Sequence, residues 1–413
     1  MTFRTAVALT FGVGLAAWSC QPPKEDPSAR PAPPRAPLSA ALPIRPLVPP
    51  VALPGDRPAG APLEIVATFR DSMPTGVTVD SDNRLFLSFP RWEDPVAFTV
   101  AELKDGRPVP YPSAEMNRLD PARPAGTLIS AQAVVVDPIH RLWILDTGRV
   151  GDGPIVPGGA KLVCIDLGTS AVTKTITFAA SVVLATSYLN DLRFDLRKGS
   201  QGTAFITDSS AEGPNGILVV DLATGESRRR LQDHPSTKAV PGFLPFVEGR
   251  ELRRTRPGQP SHVLSQGVDG LAIGADGRRL YYCPLASRHL YSVDAELLVD
   301  ESATDEQVAA SVRDEGMKPA SDGLESDREG RIYATAFETN SIVRRTSDGR
   351  YETLAHDPRL LWPDTLALAE DGFLYVTVNQ LHRQKTYTGG RDERELPYVL
   401  FRVKTSGRPV RLR

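Results

Sequence analysis

One pattern returns six times along this 413-residue chain, and it restricts the possible folds more than any other feature. Its clearest copy, SDGLESDREGRIYATAFETNSI from Ser321, reads as a polar turn, a short strand, a second turn and a longer strand. Similar segments are GVTVDSDNRLFLSF from Gly76, AVVVDPIHRLWILD from Ala133 and DLRFDLRKGSQGTAFITD from Asp191. GLAIGADGRRLYYC from Gly270 and TLALAEDGFLYVTV from Thr365 complete the set. Aligned on Asp80, Asp137, Asp195, Gly274, Asp327 and Ala369, the copies are separated by 57, 58, 79, 53 and 42 residues. Strand-rich units at this spacing, with Gly and Asp at the turns, predict propeller blades of about four strands each. The expected fold is therefore all-β, a six-bladed β-propeller. A sandwich would not repeat a turn–strand–turn–strand unit.

Each copy runs on into a second hairpin, as in KLVCIDLGTSAVTKTITF and GILVVDLATGESRRRL, whose tips carry the Gly, Asp and Ser that tight reversals require. By analogy with other propellers, Leu63–Phe69 is expected to pair with the last blade and close the ring. Residues 228–266 break the pattern with a basic, Pro-rich insertion containing Phe243 and Phe246, a candidate lid over one end of the channel. Residues 300–316 read as a short amphipathic helix between blades.

The amino terminus has a different character. Residues 1–19 resemble an export signal, with Arg4 ahead of a short apolar run. LAAWSC resembles a bacterial lipobox that would lipidate Cys20, although Trp18 stands where a small residue is usual. Residues 20–62 are rich in Pro and Ala and read as an extended tether, so the propeller is expected over 63–413. These features predict export, either to a bacterial cell envelope as a lipoprotein or as a secreted protein. The membrane would be touched only through Cys20. With 48 basic and 50 acidic residues, net charge is −2, which argues against nucleic acid as a partner. Cys164 and Cys283 lie in separate repeats and are expected to be buried thiols.

The chemistry is expected at one mouth of the channel. A propeller brings equivalent positions of successive blades together around its axis. The residue at the head of each repeat is Thr75, Gln132, Asn190, Asp269, Asp322 or Asp364. Such a ring suits a small polar or cationic ligand, or an oxygen-liganded divalent cation such as Ca²⁺. No G-x-S-x-G, H-E-x-x-H or phosphate-binding loop occurs, so an enzyme here would work through carboxylates or a metal. The scattered histidines, His140 and His289 among them, read as structural.

Several segments together resemble the major royal jelly protein/Yellow family. They are GVTVDSDNRLFLSFPRW, AVVVDPIHRLWILDTG, YLNDLRFD, LYYCPLASRHLYSV, SDGLESDREGRIYATAFETNSI and LLWPDTLALAEDGFLYVTVNQL. The resemblance implies a six-bladed propeller with a ligand in its central channel, and adds Asn340 and Asn379 as candidate ligand contacts. It implies binding of a small aromatic or cationic molecule. The alternative it implies is a dopachrome-tautomerase-like enzyme in which Asp322 or Asp364 moves a proton. A more distant similarity is to SMP-30/gluconolactonase propellers, in which Asn190, Asp269 and Asp322 would match divalent-metal ligands of a lactonase. Thr75 stands where that family carries a Glu.

Overall fold

The computed structural model describes residues 57–413 apart from residue 256. The leader, Cys20 and nearly all of the tether lie outside the described residues. The described chain forms six antiparallel sheets of four principal strands, which are the six blades of a β-propeller. The innermost strands are Val77–Val79, Ala131–Val136, Leu189–Asp195, Val268–Ile273, Leu324–Ser326 and Pro363–Leu368. Each lies beside the innermost strands of its two neighbours, and Pro363–Leu368 meets Val77–Val79 to complete the circle.

Burial explains the pattern of residues within each blade. The second strands, such as Leu85–Ser88, Thr203–Asp208 and Ile332–Ala336, are buried along their whole length. They are covered by a neighbouring blade on each face, so they carry near-continuous apolar runs instead of a strict alternation. The outermost strands are open and polar: Val172–Thr177, Ser227–Arg230 and Arg313–Met317 place Lys174, Arg228 and Arg313 along otherwise unpaired edges. Among the described residues the core divides into six apolar clusters; five span one seam each between adjacent blades, and the sixth runs from the seam between blades six and one to residues of the insertion and of blades four and five. Trp143, Phe194 and Leu218 fill the seam between blades two and three; Leu366, Val376 and Phe401 belong to that between five and six.

The aligned acids of the repeats cap the first hairpin of their blades. Asp137 Oδ1 accepts the N–H groups of Ile139 and Arg141, and Asp327 Oδ1 those of Glu329 and Arg331. A short polar side chain that satisfies two turn donors at once is what this tight reversal selects.

Ring closure matches expectation. Leu63–Phe69 pairs antiparallel with Tyr398–Lys404, with Leu63 opposite Val403 and Phe69 opposite Tyr398. The chain joins the propeller earlier still, because Ala59–Gly60 pairs with the outer strand of blade five. At the far end the last residues cross beneath the ring. The Arg328 N–H donates to Arg408 O, the Leu196 N–H to Leu412 O, and Arg413 Nη1 to Pro138 O. Cys164 and Cys283 are free, buried thiols.

Two local expectations need correction. Residues 300–316 are not one helix. Ala295–Val299 and Asp305–Ala310 are helical, but Arg313–Met317 is the outer strand of blade four. Its run of charges belongs to a sheet edge. The insertion also starts later than residue 228, since Ser227–Arg230 is the outer strand of blade three. The insertion itself comprises a short 3-10 turn and two small hairpins, Phe246–Val247 with Arg250–Glu251 and Arg253–Arg254 with His262–Val263.

Candidate functional site

The heads of the innermost strands surround a cavity of about 770 Å³. Gln132, Asn190, Asp269, Asp322 and Asp364 all line it. The structure brings these predicted residues together and leaves three others outside. Thr75 is fully buried beside them, with its hydroxyl donating to Gln132 O. Asn379 is buried behind Asp364, and its Nδ2 donates to Asp364 Oδ2 at 2.5 Å. Asn340 occupies a turn with φ of 47°, donates to Pro358 O, and does not line the cavity.

Two local devices turn the head residues toward the axis. Pairing of the inner with the second strand slips at Gln132, Asn190, Asp269 and Asp364, so those residues sit in bulges. A bulge frees one residue from the ladder and redirects its side chain. The hydroxyl of the second strand then replaces the lost partner: Thr207 Oγ1 accepts from Asp191 N–H, Thr335 Oγ1 from Asp322 N–H, and Thr377 Oγ1 from Thr365 N–H. Ser88, Thr207 and Thr377 also donate to carbonyls of the adjoining blade at Gln132, Asp269 and Thr75. A glycine after Asp269 and another after Asp322 permit the close approach. A Cβ on Gly270 would lie 2.3 Å from Asp322 O, and one on Gly323 would lie 2.3 Å from Asp364 O.

The floor of the cavity is acidic. Asp269, Asp322 and Asp364 are all buried, and none forms an ion pair among the described residues. Neutral donors meet two of them: Trp362 Nε1 donates to Asp322 Oδ2 at 2.7 Å, and Asn379 serves Asp364. Burial pushes Asp322 up to about 6, an effect that the Trp362 and Asp269 hydrogen bonds partly reverse. Burial and then the neighbouring charges push Asp269 and Asp364 well above the ordinary carboxylate range. Burial and mutual repulsion thus disfavour ionising all three acids together.

The rest of the lining is amphipathic. Tyr188 donates from its hydroxyl to Gln132 Oε1 at 2.7 Å and accepts from Trp92 Nε1 at 2.5 Å. Trp92, Tyr188 and Tyr387 contribute aromatic surface, and Arg149 and Lys385 stand among the loop residues of the lining. These loop residues were not identified from sequence, because blade-connecting loops differ in length and carry no repeat.

The insertion contributes Arg254, Pro257, Gln259 and Gln266 to the lining, so it does cover part of the mouth. It is anchored firmly. Phe243, Val247, Leu252 and Leu264 are buried in the cluster that also contains Leu285, Phe337 and Trp362. Glu248 accepts from His382 Nε2 at 2.7 Å and from Arg383 Nε at 2.8 Å. His382 stacks on Trp362, the donor to Asp322. Below the cavity the inner strands close around Arg193, which donates to Asp191 Oδ1 and Leu324 O, leaving a void of about 80 Å³ bordered by Pro409, Val410 and Arg411.

The sequence model described as "Major royal jelly protein" matches residues 129–411, covering blades two to five and the three inner strands of blade six. The chain belongs to the major royal jelly protein family. Similar curated proteins include "Protein yellow" of Drosophila subobscura, 26% identical over 250 residues, which are 57% of this chain and 41% of that protein. "Major royal jelly protein 1" of Apis mellifera is 25% identical over 240 residues, 55% of this chain and 51% of that protein. The chain thus spans about half or less of the length of these relatives. Among solved structures, a luciferin-regenerating enzyme superposes with a TM-score of 0.53 at 13% identity, over 86% of this chain and 100% of that one. A putative gluconolactonase gives 0.50 at 13%, over 85% and 94%. At such identities these likenesses speak for the propeller fold alone.

Proposed function

We propose that this member of the royal jelly protein family binds a small organic cation, an amine with an aromatic or apolar body, in its central cavity. The observation that carries this reading is the set of three buried carboxylates on the cavity floor with no basic partner. Bringing a cation to that floor removes their mutual repulsion and lets protons leave, while Trp92, Tyr188 and Tyr387 offer aromatic faces to the ligand.

A single metal ion fits this floor less well. Asp269, Asp322 and Asp364 do not present three oxygens within 4.8 Å of one another, a spacing met among the described residues only by Asp80, Asp82 and His140. Asn190 Oδ1 already accepts from Gln132 Nε2, and one oxygen of Asp322 is taken by Trp362. The donor positions are spread as an extended ligand would need them, which disfavours the lactonase alternative.

A second reading has its own support. A carboxyl held near 6 is poised to give and take a proton near neutral pH, so Asp322 could serve a tautomerase of the dopachrome type. The export leader and Cys20 form part of the same proposal, with the propeller displayed outside the cytoplasm on a Pro-rich tether.

Calorimetric titration with aromatic amines tests the reading. Saturable binding at one molecule per chain, lost in Asp269→Asn and Asp322→Asn, is the expected result. Equal affinity in both variants would refute it. Dopachrome decay accelerated by the native protein and not by Asp322→Asn would promote the second reading, and incorporation of labelled palmitate abolished by Cys20→Ser would establish the anchor.

A further inference from the structure

We propose that Asp80, Asp82 and His140 bind a divalent transition-metal ion of the Zn²⁺ class between blades one and two. The place lies beyond the other ends of the innermost strands, away from the cavity, and is independent of the amine reading.

The repeats supply their own control. In blade two, Asp137 Oδ2 accepts from Arg141 Nε at 2.6 Å and Trp143 Nε1 at 2.8 Å. In blade five, Asp327 Oδ2 accepts from Arg331 Nε at 2.6 Å and Tyr333 OH at 2.8 Å. In blade three, Asp195 Oδ2 accepts from Arg197 Nη2 at 2.8 Å. Blade one departs on both counts. Phe86 stands where blades two and five have a donor ring, and Arg84 turns instead to Glu102 Oε1 at 2.8 Å and to Leu167 O. Its nearest approach to Asp80 Oδ2 is 3.9 Å. Asp80 Oδ1 caps the turn as in the other blades, but Asp80 Oδ2 is buried with no hydrogen-bond partner.

That oxygen faces a ready donor set. His140 Nε2 is 4.0 Å from Asp80 Oδ2 and 3.9 Å from Asp82 Oδ2, and the three donors lie within 4.8 Å of one another. His140 Nδ1 is 3.4 Å from Ser81 Oγ. A proton on Nδ1 directed to that hydroxyl leaves the Nε2 lone pair facing two carboxylates, the arrangement that ligating histidines adopt. The separations exceed a charged hydrogen bond but approach those of ligands about 2.0–2.2 Å from a shared ion, which are roughly 3.4 Å apart in a tetrahedral site. Imidazole with carboxylates favours Zn²⁺ over Ca²⁺ or Mg²⁺. Side-chain exposures of 36% for His140 and 71% for Asp82 leave room for an ion to approach and for completing waters. Arg84 of blade one lies beside the site, and Glu102 already balances it.

The test is calorimetric titration of the full, chelator-stripped chain with Zn²⁺, with Ca²⁺ and Mg²⁺ as comparators. One Zn²⁺ per chain is expected, weakened at least tenfold by Asp82→Asn and by His140→Gln and unchanged by Asp322→Asn. Asp82 and His140 are chosen because Asp80→Asn could disturb the turn. Undiminished Zn²⁺ binding in both variants, or no saturable binding to the native chain, overturns the proposal. So does a His140 ring resonance that titrates with pH identically with and without Zn²⁺, which would show a protonated clamp instead. Loss in Asp322→Asn alone would move the ion to the cavity and also overturn it.

Discussion

Asp322→Asn should make the ligand-free protein more stable near neutral pH while weakening its hold on a cation. In the native state Asp322 is buried and titrates at about 6, against 3.8 for a free side chain. A raised value means that the folded protein keeps this proton longer than the unfolded chain does. The associated stability is complete below about pH 4 and is lost as pH rises through about 6. The gap corresponds to about 3 kcal/mol above that pH. Asparagine removes the titration yet keeps an oxygen for Trp362 Nε1, and its amide can donate to Asp269. At about 2 °C per kcal/mol for a domain of this size, the thermal midpoint at pH 7.5 should rise by several degrees. At pH 4.5 the gain should fall to about a third, about 1 kcal/mol, because native Asp322 is then largely protonated while the unfolded side chain is already mostly ionised. Differential scanning calorimetry of both proteins at the two pH values reads this directly, and the remaining acids cancel in the comparison. An equal shift at both pH values, or destabilisation at both, would refute the claim that an uncompensated charge sits on the cavity floor.

Neighbouring contacts lead to further expected outcomes. Trp362→Phe removes a donor that favours the ionised Asp322, worth about 1.5–3 kcal/mol, so the pH midpoint for cation binding should move up by roughly one to two units. An unchanged pH profile would count against that link. Glu248→Gln should release the insertion from His382 and Arg383, giving faster amide exchange over residues 246–255 with little change elsewhere. Because those partners hold the Glu248 carboxyl well below its usual range, the anchorage present at neutral pH should weaken as the solution is acidified. Asp137→Ala leaves two turn N–H groups and the buried Trp143 Nε1 unsatisfied, at a cost of about 3–5 kcal/mol measurable by thermal denaturation.

The blades are legible in the sequence because their turns repeat. A buried Asp that caps its own hairpin is needed at the same point of several blades, so its spacing reports the architecture even where other residues drift. The head residues are legible for the same reason: ND at Asn190 and DG at Asp269 fall where an inner strand bulges, and the glycine of each DG lets the next blade approach. The wall of the cavity is not legible, since Trp92, Arg149 and Tyr387 sit on loops of unequal length. The outer strand Arg313–Met317 reads wrongly because a solvated sheet edge and a solvated helix face both carry charge. Arg313, Asp314 and Glu315 could belong to either until pairing with His289–Asp294 decides between them.

The crossing of the last residues beneath the ring has a consequence for traffic. With Arg193 across the channel and Leu412 and Arg413 tied to blades three and two, the channel is a blind shaft with a single door. On the proposed reading, a molecule seated on the acids would leave by retracing its way in, past Arg254 and Gln259 of the insertion. Residence time is governed by how often the covering hairpins part, so two guests of equal affinity but unequal girth would exchange at very different rates.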